Sequence, residues 1–123
     1  MKKFLMTVLL GLTSLGFNAA WAHGDAKPRH GGVVREVSDL SFELVNDAKG
    51  VAIYVEDHGK ALAPIGMSGK LTVLKGNEKT EYPLLAGTNR LEASGAQLPK
   101  GTKVVAVING VANKTVTVRF SIK

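Results

Sequence analysis

Short segments in which apolar and polar residues alternate are the main pattern of this chain. In the segment 115–122, valine, phenylalanine and isoleucine alternate with threonine, arginine and serine. An extended strand with this pattern has one apolar face and one polar face. The segment 41–44 and a further one that begins at Lys70 behave in the same way, and no stretch after residue 32 carries a sustained helical period. The pattern predicts an all-β fold.

Two nearly continuous apolar runs, VAIYV at 51–55 and VVAVI at 104–108, are typical of central strands. Turn residues separate the runs. Asn109-Gly110 predicts a two-residue hairpin, since the type I′ turn of such a hairpin needs positive φ at both central positions. We therefore predict that residues 33–123 form a single immunoglobulin-like antiparallel β-sandwich of about seven strands.

The first 22 residues have the features of a secretory signal peptide. A Met-Lys-Lys start precedes an apolar run at 4–17, and the sequence AWA ends the segment with small residues where a signal peptidase would cut. The alternative is an uncleaved N-terminal anchor, but the run is short for a membrane span. Cleavage after Ala22 predicts a periplasmic protein that begins at His23 and has no membrane span in its mature form.

Residues 23–32, HGDAKPRHGG, predict a flexible N-terminal arm. The segment is polar and contains three glycines, one proline and no large apolar residue. Such a composition does not favour a strand or a helix.

Charge and cysteine content exclude several classes of function. The net charge of +6 falls to +4 once Lys2 and Lys3 are removed with the signal, and the remaining basic residues are interleaved with acidic ones. Nucleic-acid binding needs a concentrated basic face or aromatic residues for stacking, so it is not expected. The chain has no cysteine, which excludes thiol chemistry and disulfides.

The sequence contains no complete catalytic motif among those considered. Gly66-Met67-Ser68-Gly69 resembles the start of a nucleophile elbow, but Lys70 stands where the second glycine of that motif belongs. No phosphate-binding or dinucleotide motif is present. We expect that the protein is not an enzyme.

The three histidines are the candidate metal ligands, because His23, His30 and His58 all lie outside the apolar strand runs. The simplest alternative is that they are exposed loop residues. Signal cleavage, however, would give His23 a free α-amino group beside its imidazole, and the two nitrogens can chelate one metal ion. A further imidazole from His30 or His58 would complete the nitrogen-rich set that Cu(II) prefers.

Donor chemistry favours Cu(II) over Cu(I), since Met67 is the only methionine of the predicted mature chain. Zn(II) is the second metal that imidazole and carboxylate suit. Asp25, Glu56 and Asp57 are oxygen donors near the same elements.

Several segments together resemble one family of small periplasmic proteins encoded beside heavy-metal efflux systems. The segments are HGDAKPRHGGVV, LSFELV, VAIYVEDHGK, SGKLTVL, VVAVING and KTVTVRF, and the more specific parts are His-Gly-Gly at 30–32 and Asp-His-Gly-Lys at 57–60. A similar segment occurs near the N-terminus of some efflux adaptor proteins. The resemblance implies a β-sandwich with an accessory role in copper, silver, zinc or cobalt homeostasis. The terminal His23 is also similar to the N-terminal histidine that helps to bind Cu(II) in periplasmic copper-resistance proteins.

Three hypotheses follow. The first is a periplasmic metal-binding accessory protein that buffers Cu(II), or another divalent heavy metal, or delivers it toward an efflux adaptor. The second is a metal-independent module that binds an efflux adaptor or another envelope protein by strand addition. The third, a hydrolase or an oxygenase using a terminal copper site, would need a flat aromatic surface, and the chain is poor in aromatic residues.

Overall fold

The computed structural model describes residues 27–123, which form nine strands and contain no helix. The all-β prediction is confirmed for this part of the chain. The structure has nine strands where about seven were predicted, and two of the nine are very short. The strands are β1 (Val33–Val37), β2 (Leu40–Asp47), β3 (Gly50–Asp57), β4 (Lys60–Leu62), β5 (Ser68–Lys75), β6 (Glu78–Ala86), β7 (Leu91–Ser94), β8 (Lys103–Val111) and β9 (Lys114–Ser121).

All neighbouring strands pair antiparallel, in the order β1-β2-β3-β7-β6-β5-β8-β9. The short β4 pairs with the last three residues of β3, beyond the part of β3 that pairs with β7. The first and last strands of this order approach each other, and Arg35 Nε of β1 donates a hydrogen bond to the Arg119 carbonyl oxygen of β9 at 3.1 Å. The sheet is therefore barrel-like and nearly closed. The two apolar runs of the sequence lie in β3 and β8, and both strands are central, as predicted.

One hydrophobic core fills the interior of this sheet. The core takes fully buried side chains from strands all round the sheet, among them Phe42 of β2, Ile53 of β3, Leu71 of β5 and Val104 of β8. The alternation of the last segment is confirmed, since the apolar members of β9 are buried and the polar members are exposed. Burial of large apolar side chains, at roughly 1.5–3 kcal/mol each, supplies the main driving force for folding.

The β1–β2 hairpin sets the register at the outer face of β2. Ser38 and Asp39 both have positive φ, 54° and 65°, which closes a tight turn between the strands. Val34 consequently lies opposite Glu43, and Glu43 lies opposite Tyr54 on β3. Phe42 faces the core, so the Glu43 side chain points to the other side of the sheet.

The predicted hairpin at Asn109-Gly110 is wrong by three residues. The turn between β8 and β9 is made by Ala112 and Asn113, whose φ values are 51° and 66°. Asn109-Gly110 instead lies within β8, where the pairing with β9 is irregular between Ile108 and Val111. The cause is packing, because a Cβ on Gly110 would lie 2.2 Å from the carbonyl oxygen of Gly66 in the loop before β5.

The predicted signal peptide, 1–22, and residues 23–26 of the predicted arm lie outside the described residues. Residues 27–32 of the arm form no strand.

Between residues 27 and 123, no segment has the length and the apolar character of a membrane-crossing helix.

Candidate functional site

The carboxylate of Glu43 holds the segment that precedes β1. The backbone N–H of Arg29 donates to Glu43 Oε1 at 3.0 Å, and the N–H groups of His30 and Gly32 each donate to Oε2 at 2.8 Å. The ring atom Nδ1 of His30 lies 3.0 Å from Oε1. Residues 27–32, called the docked arm below, thus cover Glu43, which is only 6% exposed although it lies on the outer face of its strand.

Two glycines allow the docked arm to reach this position. Gly31 has φ of +74°, a left-handed conformation that glycine adopts without a steric cost. Gly32 lies so close to β2 that an added Cβ would stand 2.2 Å from the Leu44 carbonyl oxygen. The Gly-Gly pair after His30 therefore has a structural reason, which is to turn the chain and press it against β2.

The imidazole of His30 stacks on the ring of Tyr54. The ring centroids are 3.6 Å apart and the planes are inclined by only 5°. Tyr54 is held in turn by Arg90, whose Nη1 donates to the Tyr54 hydroxyl oxygen at 3.0 Å while its Nε donates to Glu92 at 3.0 Å. The Tyr54 hydroxyl and the Glu92 carboxylate both raise the pKa of Arg90, so this support carries a fixed positive charge.

Hydrogen bonding keeps Glu43 ionised despite its cover. Burial by itself raises the pKa of Glu43, but the donors on Gly32, His30 and Arg29 outweigh it, and the pKa lies below its ordinary value. An ionised carboxylate has only acceptor sites, so Nδ1 of His30 must carry the hydrogen that lies between them. In the neutral ring, the unprotonated atom is then Nε2.

His58 has a similar partner in a different setting. It lies in the turn between β3 and β4 with φ of +52°, and its side chain is 81% exposed. Its Nδ1 is 2.5 Å from Asp57 Oδ1. Both described histidines therefore have Nδ1 against a carboxylate, which leaves Nε2 as the atom for a ligand.

The docked arm and the His58 turn lie at the same side of β3. Arg29 Nε binds Glu56 Oε2 at 3.2 Å, and Arg29 Nη2 would lie 3.6 Å from a Cβ on Gly59, next to His58. Tyr54, under the His30 ring, is four residues from His58, or about 13 Å along an extended strand. Even so, the part of the chain from 27 to 123 brings no three histidine or acidic side chains together as a ready metal site.

His23 lies outside the described residues. Lys27 lines a small cavity with Glu43 and Tyr54, the two residues that contact the His30 ring. His23 precedes Lys27 by four positions, which span at most about 14 Å in an extended chain.

Sequence reasoning missed Glu43 and Tyr54 as site residues. Glu43 alternates with apolar neighbours, as on an ordinary solvated face, and Tyr54 lies in the apolar run VAIYV, which predicted a central strand. Glu56 and Asp57, considered there as oxygen donors, instead bind Arg29 and His58. The sequence gives no direct signal for the contacts of Glu43, because the β1–β2 register places Glu43 opposite Val34 and its hydrogen-bond donors lie in the segment before β1.

Comparison with protein-family models, with curated proteins and with solved structures finds no match for this chain. The resemblance to efflux-associated periplasmic proteins stays a prediction.

Proposed function

We propose that this chain is a periplasmic metal-binding accessory protein that buffers Cu(II), or another divalent heavy metal, or delivers it toward an efflux system. One observation carries the proposal: the His30 ring is fixed by a carboxylate on Nδ1 and by a stacked tyrosine, so that Nε2 is the ring nitrogen left to bind a metal. Metal-bound histidines characteristically donate their other ring N–H to a carboxylate in this way.

The remaining ligands would come from the two other histidines. The α-amino group and the imidazole of His23 would form a chelate after signal cleavage, and His58 would add a third imidazole from the neighbouring turn. Such a nitrogen set favours Cu(II), and Zn(II) is the second candidate. Neutral imidazoles bind the metal, so acid should weaken binding as protons compete for the nitrogens.

The test is a titration with Cu(II) of protein that begins at His23, in which calorimetry measures the affinity and EPR the coordination. We expect that His30→Ala, or one extra residue before His23, weakens the binding at least tenfold and changes the nitrogen coordination in the EPR spectrum. Arg29→Gln is the matched control, since it alters the same arm without removing an imidazole. Unchanged affinity after both changes would exclude the proposed site.

The alternative is a metal-independent module that binds an efflux adaptor or another envelope protein. Its support is the outer edge of β6, where residues 78–83 pair with β5 on one side and have no strand partner on the other among residues 27–123. The same variant series separates the two functions. A triple His→Ala protein that folds and still captures its partner in a pull-down favours the module, whereas loss of capture favours the metal.

The finer fold prediction, an immunoglobulin-like sandwich, is also proposed here. Its support is that β6 changes neighbours along its length, pairing with β5 up to Leu84 and with β7 at Leu85 and Ala86. A strand that changes partners in this way would divide a nearly closed sheet into the two facing layers of a sandwich.

A further inference from the structure

Among residues 27–123, every hydrogen bond to the carboxylate of Glu43 comes from the docked arm. Three of the donors are backbone N–H groups, of Arg29, His30 and Gly32, and the fourth is the ring of His30. The arm and the ring therefore share one acceptor. Anything that fixes the ring also fixes the arm, and anything that releases the arm moves the ring.

A metal ion at His30 would act on this shared acceptor. Coordination through Nε2 leaves the hydrogen on Nδ1, the form of the ring that donates to Glu43. A ring with its hydrogen on Nε2 would instead turn a lone pair on Nδ1 toward the carboxylate, which repels it. Coordination thus selects the ring form in which the docked arm is complete.

We propose that Glu43 is a positioning residue that couples metal binding at His30 to docking of residues 27–32 on β2. This inference rests on the proposed function, because it takes His30 as a ligand. The coupling is reciprocal by thermodynamic necessity: the metal stabilises the docked arm by the same factor by which the docked arm strengthens metal binding.

The chain supplies a matched pair of variants. Glu43→Gln removes the shared carboxylate. Glu56→Gln removes the carboxylate of the neighbouring strand, which binds the same arm through the Arg29 side chain at 3.2 Å and does not contact His30 in the structure. A general loosening of the arm would affect both variants, whereas loss of the coupling should affect the first alone.

A second variant covers the case in which Glu43→Gln does not fold. Gly32→Ala keeps both the Glu43 carboxylate and the His30 imidazole in the sequence, but it sets a Cβ against the Leu44 carbonyl oxygen, so the arm must lift from β2. β1 carries no fully buried side chain, and the core residues are untouched. The core should therefore survive this change, as far-UV circular dichroism would show.

The experiment uses Zn(II) alone as the probe, because a diamagnetic ion permits NMR. Calorimetry gives the zinc affinity, amide exchange reports on Arg29, His30 and Gly32, and nitrogen chemical shifts report which ring atom of His30 carries the hydrogen. We expect zinc to slow exchange of the three amides in the native and Glu56→Gln proteins. Glu43→Gln and Gly32→Ala should bind zinc about ten- to a hundredfold more weakly.

Equal zinc affinity in the native, Glu43→Gln and Gly32→Ala proteins overturns the coupling and leaves the proposed function standing. Zinc binding that leaves the three amides unchanged in the native protein overturns it as well. Failure of the native protein to bind either zinc or copper removes the proposed function and the coupling together, so the two failures are distinguishable.

Discussion

Glu43 shows how a residue on a polar strand face becomes buried by chain from elsewhere. Its neighbours Phe42 and Leu44 face the core, and Glu43 points outward, where the docked arm covers it. Covering a charge without partners would cost several kcal/mol. Four donors replace the water here, and three of them are backbone N–H groups that would themselves need acceptors.

The lowered pKa of Glu43 predicts a pH dependence of stability. A group whose pKa is lower in the folded state stabilises fully above its unfolded pKa, about 4.3, and loses that contribution as the pH falls through the folded pKa. Urea unfolding of the native protein and of Glu43→Gln between pH 7 and pH 3 measures it. The stability difference between them should be constant above about pH 5 and shrink in more acidic solution. A difference as large at pH 3 as at pH 7 would contradict this.

At the scale of single residues, sequence reasoning predicted His30 and His58 as metal ligands but did not predict the residues that hold them. Their positions outside the apolar runs are visible in the sequence, and both lie in non-strand segments as expected. Glu43 is invisible as a partner because its contacts span 11 to 14 residues and depend on the β1–β2 register. Whether His23 joins them stays a prediction.

Among the elements, β8 and β9 show where local preference ends and packing begins. The alternation in β9 predicted its two faces correctly, because period two follows directly from strand geometry. The Asn-Gly preference for a tight turn failed, since Gly110 serves a close approach to Gly66 instead. The turn falls on Ala112 and Asn113, neither of which is a glycine.

Two glycine substitutions should separate backbone strain from steric contact. Gly110 and Gly76 both have positive φ, +80° and +59°, but only Gly110 has a close neighbour, while a Cβ on Gly76 meets nothing within 4 Å. We expect Gly76→Ala to lower the free energy of unfolding by about 1 kcal/mol and Gly110→Ala by at least about 3 kcal/mol. Urea unfolding measures both. Equal losses would mean that β8 yields freely at the irregular pairing.

For the whole molecule, the important property is that all parts of the nearly closed sheet contribute to one core. Ile53 of β3 and Leu71 of β5 belong to the same buried cluster, although their strands lie far apart in the strand order. Strand composition predicted the class of fold well. The order of strands was beyond it, because the pairing of β3 with β7 and of β5 with β8 joins distant segments whose apolar patterns are alike.

A shared core predicts a single cooperative unfolding transition. Leu71 is fully buried and Leu85 is 62% exposed, so the two leucines form a matched pair. Leu71→Ala should lower the free energy of unfolding by about 2–5 kcal/mol, and Leu85→Ala should change it by less than about 0.5 kcal/mol. Tyrosine fluorescence and far-UV circular dichroism should report the same midpoint for Leu71→Ala. Two separate midpoints would show that parts of the sheet unfold independently.

The place where β1 and β9 meet, the seam of the nearly closed sheet, has a consequence for local unfolding. β1 contributes no fully buried side chain, yet it closes the seam toward β9 and continues directly from the docked arm. We expect residues 27–37 to be the first to detach in sub-global opening, as one unit and at a fraction of the cost of global unfolding. Such fraying would carry His30 away from Tyr54 while the other eight described strands keep their core.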